Sequence, residues 1–300
     1  MSTNEPGWGT PPEPQQGIVP ARPLGAGEIV SGGVRFVRAN PGVVLPLGLA
    51  AALAFVLPQV LVVLGRGFPP PATAPADPLA GTLPETLLAM VVALAVLPPV
   101  TATVLGTLLP VVQGRRGIRL AEAWAVARPR FGALYVVQIV VSMIGFVPLL
   151  IFSAIAPLWL SGGVRVFVAL LVTLAVYAAM VYVSVLLALA PAAAAVEGLP
   201  WRDALWRSVE LVRGSWWRCL GVQILVALSV AAASLVVVVP AVLLGIGAAV
   251  AGSAGAAIAV AAVAGLLLLA VLAAAYGFSI GAVGLLHHDQ RLRRGATPGF

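Results

Sequence analysis

The side chains best suited to binding are concentrated in one segment, residues 199–220, which lies between two long apolar runs. It combines arginine, whose positive charge attracts anionic headgroups, with tryptophan, which favours the boundary between hydrocarbon and water. The candidates for contact with a lipid headgroup or a protein partner are Trp201, Arg202, Trp206, Arg207, Arg213, Trp216, Trp217 and Arg218. Generic interfacial anchoring by the same residues is the simpler interpretation of the pattern, and docking of a protein partner is the third.

Helical spacing gives this segment two different faces. Asp203, Arg207 and Glu210 fall on one face of such a helix. The face roughly opposite carries Trp201, Leu205, Val209, Val212 and Trp216. This pattern is typical of a helix that lies in a membrane interface, with its apolar face in the acyl boundary and its charged face in water.

Strongly polar side chains inside the apolar runs are rare. Gln138 and Gln223 each lie within a Val-Gln-Ile triplet, and they form a candidate intramembrane polar pair. They indicate either a polar site between repeats or an ordinary interhelical hydrogen bond worth about 1 kcal/mol. No charged residue or histidine lies deep in an apolar run, which argues against a proton- or ion-coupled pump.

The sequence predicts no catalytic residue, no cofactor and no metal site. His287, His288 and Asp289 end the last apolar run, but adjacent side chains on a helix diverge by about 100°, and no third histidine is present to complete a site. The serines lack an intramembrane histidine or carboxylate to activate them. No glycine-rich phosphate-binding motif occurs, and Cys219 is the single cysteine.

Composition places these residues in a membrane protein. The 300 residues are 61% hydrophobic and only 9% charged, with a mean hydropathy of +1.08, whereas a soluble domain is about 25% charged. The predicted fold is all-α, a polytopic membrane helix bundle. The net charge of +7 comes from arginines beside the apolar runs, so we expect anionic lipids and no nucleic acid as partners.

The apolar runs predict six transmembrane helices, since each is long enough to cross about 30 Å of hydrocarbon. They lie near residues 43–64, 84–112, 131–157, 164–196, 216–247 and 255–287. Residues 1–23 are expected to form a disordered cytosolic tail, 24–290 the membrane domain and 291–300 a second cytosolic tail. The residues around Gly252–Gly255 predict a tight turn between the last two spans.

Arginine placement predicts the orientation. Arg66 and Arg165 fall in loops after the first and third spans, and the other arginines fall on the opposite side. Because positive charge is retained in the cytoplasm, both termini are expected to be cytoplasmic, in a bacterial plasma membrane.

Weak internal similarity predicts three parallel repeats, approximately 24–112, 113–196 and 197–290, each beginning with an interfacial helix. Alignment of Arg38, Arg128 and Arg213 places a helix breaker shortly after each. A second alignment pairs Pro110, Gly117 and Glu122 with Pro191, Gly198 and Asp203. Chance similarity in a chain rich in Ala, Val and Leu is the alternative explanation. Ala273, Gly277 and Gly281 form a separate small-residue face that predicts close helix packing.

Several motifs resemble a known family. Residues 22–29, followed by Arg35, Arg38 and Asn40-Pro41, are similar to the opening of actinobacterial proteins that carry the membrane domain of glycerophosphoryl diester phosphodiesterases. Residues 205–218 resemble that family's central segment, and Asp289, Arg291 and Arg293 its closing Asp-x-Arg-x-Arg. The resemblance covers most of residues 22–295. It implies a membrane region without the soluble catalytic domain, because little chain follows His288, so no enzymatic activity is expected.

These observations favour a non-enzymatic scaffold or accessory protein that engages lipid headgroups or an unidentified protein partner on the cytosolic face. One alternative is a permease that carries a lipid or another apolar molecule through a cavity between repeats, near Gln138 and Gln223. A second alternative is a membrane component of glycerophospholipid metabolism.

Overall fold

The computed structural model describes residues 23–66, 78–115, 117–144 and 163–295, and all regular structure in these ranges is helical. The remaining residues hold most of the predicted N-terminal tail, the second half of the predicted third span and the last residues of the C-terminal tail. Those predictions therefore lie outside the described residues. The helices are α1 (Ala26–Ala39), α2 (Pro41–Arg66), α3 (Pro78–Gly106), α4 (Leu108–Val112), α5 (Leu120–Ala127), α6 (131–144), α7 (Gly163–Leu187), α8 (Ala190–Val196), α9 (Trp201–Val212), α10 (Trp216–Val250) and α11 (Ala254–Arg293).

Five segments of the described chain are helical, long and apolar enough to cross a membrane. They are Pro41–Leu61, Leu87–Val112, Leu170–Val196, Trp216–Val250 and Ala254–Arg293. The expectation of a multi-pass helical membrane protein is thus confirmed. The sixth predicted span, 131–157, is described only as far as residue 144, where it is helical. The expected tight turn is also present, because Gly252 adopts a φ of +70° between α10 and α11.

Helix α11 is the central element, and it packs extensively against α1, α2 and α10. Its small residues allow this close approach. A methyl group on Gly48 of α2 would overlap the carbonyl of Ala273, and one on Gly277 would overlap the side chain of Val44. Gly281 is in a similar position, because a methyl group there would lie 2.6 Å from the ring of Phe36 in α1. The small-residue face predicted from the sequence therefore serves close helix packing.

Two helix breaks have the same local design. Helix α3 ends at Gly106 before the short helix α4, and α7 ends at Leu187 before the short helix α8. Each short helix contains a proline, which removes a backbone donor from the helical ladder. The chain then turns at Gly117 and at Gly198, whose φ values are +69° and +70°. Helices α5 and α9 follow, with Glu122 and Asp203 in their first turns.

Helix α1 lies against α11 with a mixed surface. Its N-terminus is capped by Glu28, whose carboxylate accepts a hydrogen bond of 2.7 Å from the Gly25 amide. Ile29 and Phe36 are buried, whereas Arg35 and Arg38 are exposed. Asn40 separates α1 from α2, and its side-chain oxygen accepts a hydrogen bond of 2.9 Å from the Ile118 amide. Helix α1 is therefore fixed at both ends, and the second contact joins it to the turn before α5.

Candidate functional site

A fully buried carboxylate, Asp289, joins three parts of the chain at one end of the bundle. Its oxygens accept hydrogen bonds from Arg218 of α10 at 2.7 Å and from Arg293 of α11 at 3.0 Å and 3.1 Å. The Leu24 amide donates to the same carboxylate at 2.7 Å. Both guanidinium groups also donate to the Leu24 carbonyl, at 2.6 Å and 3.2 Å. The charge of Asp289 thus fixes the chain entering α1 to the ends of α10 and α11.

A second carboxylate, Glu197, occupies the loop between α8 and α9. His287 Nε2 lies 2.9 Å from Glu197 Oε1, and only 1% of the His287 side chain is exposed. Arg207 Nε of α9 lies 3.4 Å from Oε2, and Arg291 Nε of α11 lies 3.7 Å from Oε1. Arg207 also donates to Glu210 at 2.9 Å. We call Glu197, Arg207, Arg218, His287, Asp289, Arg291 and Arg293 the arginine–carboxylate cluster.

The surroundings of Glu197 favour its charged form. Burial raises the pKa of this carboxyl, but the contact with His287 and the positive charges of Arg207 and Arg291 outweigh burial and hold the pKa below its ordinary value of 4.5. Burial lowers the pKa of Arg207, but its contacts with Glu210 and Glu197 leave that pKa raised overall. Both groups are therefore charged near neutral pH. Within the described residues, no group of three or more His, Cys, Asp or Glu side chains is arranged to hold a metal ion.

Neutral polar groups extend the connections around the cluster. Ser208 of α9 donates to the Leu186 carbonyl at 2.6 Å and accepts from the Leu189 amide at 3.1 Å, which satisfies the backbone where α7 breaks. Ser215 donates to Gln290 Oε1 at 2.9 Å. Arg130 donates to the Ala195 carbonyl. These bonds attach α9 to the α7–α8 junction, the start of α10 to α11, and the α5–α6 junction to α8.

Some of the candidate headgroup residues form ion pairs within the protein, and others are exposed. Arg207 and Arg218 belong to the arginine–carboxylate cluster, with only 26% and 28% of their side chains exposed. By contrast, Trp206 and Trp217 are 74% and 79% exposed. Arg202 and Arg213 are also exposed, and the Arg202 guanidinium lies 4.9 Å above the Trp201 ring. We call the four exposed residues, Arg202, Trp206, Arg213 and Trp217, the Trp–Arg surface.

The remaining candidates, Trp201 and Trp216, are half-buried. Trp216 Nε1 donates to the Tyr182 carbonyl at 3.2 Å, and the two rings lie 5.5 Å apart. Trp216 also meets Trp217 edge to face at 4.8 Å. Trp201 packs against the buried cluster that includes the alanines of α8. These two tryptophans therefore anchor α9 and α10 to the protein and present less surface to a ligand.

The buried face of α9 differs from the sequence pattern. Its fully buried residues are Ala204, Ser208, Leu211 and Val212. Leu205 and Val209, expected on the apolar face, are only half-buried. The face is displaced because α9 packs against α7, α8 and α11, and Ser208 must lie over the break in α7 to satisfy its backbone.

The two glutamines have different surroundings. Gln223 lines a cavity of about 400 Å³ between α10 and α11, together with Ser279. Its amide nitrogen is buried and has no hydrogen-bond partner among the described residues. Gln138 is half-buried in α6, and no hydrogen bond links the two glutamines in the described part of the chain. A different polar contact lies within the bundle, where the Thr101 and Tyr276 hydroxyls are 2.9 Å apart.

Sequence reasoning missed Glu197 and treated His287 and Asp289 as polar residues at the end of a span. One available signal was the scarcity of acidic residues, 10 against 17 basic ones. A carboxylate among arginines is expected to pair with them when it is buried. A second signal was the spacing of Asp289 and Arg293, four residues apart on one helix.

Comparisons with protein-family models, curated proteins and solved structures gave no match.

Proposed function

We propose that this chain is a non-enzymatic scaffold or accessory protein of the membrane that engages anionic lipid headgroups or a protein partner through the Trp–Arg surface. The observation that carries the proposal is the exposure of two arginines and two tryptophans beside the ends of membrane-crossing helices. Large aromatic side chains exposed at 74% and 79% are unfavourable in water but suit a membrane interface or a binding surface.

The arginine–carboxylate cluster supports this role. The cluster pairs Arg207 and Arg218 with carboxylates of the protein. In the segment 199–220, Arg202 and Arg213 are therefore the exposed arginines that can pair with an external anion. The cluster also fixes α9 and α10, and the exposed residues lie on these two helices or, for Arg213, in the turn between them. A rigid support lowers the entropic cost of binding, since fewer degrees of freedom are lost when a ligand is bound.

The proposal includes an orientation and an internal symmetry. We place both termini in the cytoplasm of a bacterium, with six spans in three parallel repeats of one surface helix and two spans. The similar turns at Gly117 and Gly198, each preceded by a proline-containing short helix, support the repeats. So do the acidic residues in the first turns of α5 and α9. Cysteine labelling of substituted Arg66 and Arg213 positions from one side of the membrane tests the orientation, which requires opposite accessibility.

The headgroup experiment replaces the exposed arginines while the cluster stays intact. We compare the full chain with the Arg202→Gln/Arg213→Gln variant, reconstituted in nanodiscs, and measure enrichment of phosphatidylglycerol over phosphatidylcholine around the protein. A lipid–arginine contact near a surface is worth about 1 kcal/mol. Each substitution should therefore lower the preference by roughly fivefold. The control is Arg115→Gln, because Arg115 is 60% exposed and already pairs with Glu122.

A protein partner would give a different result. In that case Trp206→Ala/Trp217→Ala should abolish co-purification of a specific protein from the native membrane, while the lipid preference stays unchanged. If the arginine and tryptophan variants both retain the wild-type lipid preference and the wild-type set of co-purified proteins, the proposed function is wrong.

A permease is the second candidate function, favoured by the cavity that Gln223 lines. An unpartnered amide nitrogen in a cavity of about 400 Å³ offers a hydrogen-bond donor to an ester or phosphate oxygen. Gln223→Leu should then slow the movement of a fluorescent phospholipid between leaflets of proteoliposomes. Equal rates for wild type, the variant and empty liposomes would exclude this candidate. A part in glycerophospholipid metabolism stays a prediction from the sequence resemblance.

A further inference from the structure

An apolar groove lies between α1, α10 and α11. None of its lining residues belongs to the Trp–Arg surface, and it shares Val230 with the Gln223 cavity. Its volume is about 320 Å³, within the range of roughly 300–1,000 Å³ that is common for ligand sites. Its polar lining residues are Arg38 and Ser229, and Ser229 already donates to the Leu225 carbonyl at 2.8 Å. The walls are formed by Val34, Val37, Val230, Ala233, Val271, Ala274, Ala275 and Phe278. The groove is therefore apolar along its length, with one cation at its edge.

The groove lies beside two membrane-crossing helices. Two of its walls come from the candidate spans Trp216–Val250 and Ala254–Arg293, and the third comes from α1. The section of α11 from Val271 to Phe278 rises about 10 Å along the helix axis. Leu228, which precedes Ser229 on the spanning helix α10, is 62% exposed. Exposed aliphatic side chains on a spanning helix are solvated by acyl chains, so lipid has direct access to the groove.

The charge at the edge of the groove has one sign. Arg38 lies in the last turn of α1 and is exposed, and Arg35 lies one turn earlier on the same exposed side. Within the described part of the chain, Arg38 forms no ion pair or hydrogen bond. Glu28, the acidic residue of α1, lies at the other end of the helix. An anion bound at Arg38 would therefore meet positive charge without a competing carboxylate from α1.

We propose that this groove binds one anionic phospholipid of the surrounding bilayer, with an acyl chain between α10 and α11 and the phosphate beside Arg38. A phospholipid matches both features, because its apolar chain fits walls that offer no free hydrogen-bonding group and its charged end complements the single cation. A peptide would bring backbone donors and acceptors that these walls leave unsatisfied. The bound lipid would fill the space between α1 and the α10–α11 pair.

The experiment uses the full-length protein and native mass spectrometry, with phosphatidylglycerol and phosphatidylcholine as the probes. Arg38→Gln removes the cation and leaves the groove open. It should lower phosphatidylglycerol affinity roughly fivefold and leave phosphatidylcholine affinity unchanged. Ala274→Phe fills the groove from α11 and should lower the retention of both lipids. The matched controls are Arg115→Gln and Ala261→Phe, since Ala261 is exposed on α11 outside the groove.

The outcomes separate this site from the Trp–Arg surface. Loss of lipid in Arg38→Gln and Ala274→Phe, but not in Arg202→Gln/Arg213→Gln, supports the groove whatever the fate of the proposed function. If Arg38→Gln keeps the wild-type preference for phosphatidylglycerol, or Ala274→Phe keeps the wild-type lipid count, the groove proposal is wrong. Should Ala274→Phe fail to fold, Ala233→Phe fills the same space from α10 and is judged by the same criterion.

Discussion

Replacing Asp289 by asparagine removes the charge that holds α10, α11 and the start of α1 together. The substitution keeps the shape of the side chain, and its oxygen still accepts from the Leu24 amide. The loss in stability therefore reports mainly the charge. Asp289 is fully buried, whereas Arg218 and Arg293 are 28% and 37% exposed.

The expected cost follows from that burial. Removing one partner of a buried ion pair costs roughly 3–5 kcal/mol. Since both arginines are partly exposed and recover some hydration, we expect a loss near the lower end, about 3 kcal/mol. Arg218→Gln leaves Asp289 paired with Arg293, so its expected cost is smaller, about 2 kcal/mol, close to that of one charged hydrogen bond.

The assay is equilibrium unfolding in mixed micelles of increasing dodecyl sulfate fraction, monitored by tryptophan fluorescence. Because Arg218 and Asp289 interact directly, the double variant should lose at least about 1 kcal/mol less than the sum of the single losses. Arg202→Gln, an exposed arginine outside the cluster, is the control and should change stability by less than about 0.5 kcal/mol. Additive losses for Arg218 and Asp289 would refute the account of the cluster.

Three further predictions concern stability in the same assay. The folded-state pKa of Glu197 lies below 4.5; its contribution is therefore complete above that pH and is lost as the pH falls through the folded-state pKa. The stability difference between wild type and Glu197→Gln should accordingly stay constant from about pH 7 down to about pH 5 and shrink as the pH falls below 4.5. A difference that persists unchanged in acid would contradict the assignment. Gly48→Ala should cost about 2 kcal/mol or more, because the added methyl group overlaps Ala273. Its control is Gly245→Ala, where a methyl group meets nothing within 4 Å, and this variant should be neutral or stabilising. Equal effects would show that α2 and α11 are not closely packed. Ser208→Ala should cost about 1–3 kcal/mol by leaving the backbone at the α7 break unpaired, and a loss no larger than that of Ser229→Ala would argue against this role.

The sequence predicted well those features that depend on local chemistry. Long apolar runs identify spanning helices because a backbone in hydrocarbon must satisfy its own hydrogen bonds. The glycine at 252 identifies the turn between α10 and α11, and the small residues 273, 277 and 281 identify the packed face of α11. Each of these signals lies within a few consecutive turns of chain.

Features that depend on tertiary packing were not predictable in the same way. The pattern of α9 indicated an apolar face but not that Ser208 would cover a break in α7. Arg207 and Arg218 are of a residue type that binds lipid headgroups. The fold instead pairs Arg207 with Glu197 and Arg218 with Asp289. These partners are separated by 10 and 71 residues in sequence, as the numbering shows. Glu197 and Arg207 are close in sequence, but the turn at Gly198 lies between them. They are not on one helix, so helical periodicity does not predict their contact.

The length of α11 has a mechanical consequence. Its 40 residues contain no proline and extend about 60 Å, roughly twice the thickness of the hydrocarbon. An unbroken hydrogen-bonded rod of this kind moves as one body. A rigid-body tilt or axial shift of α11 would therefore displace Ala254 together with His287 and Asp289, although they lie at opposite ends of the helix.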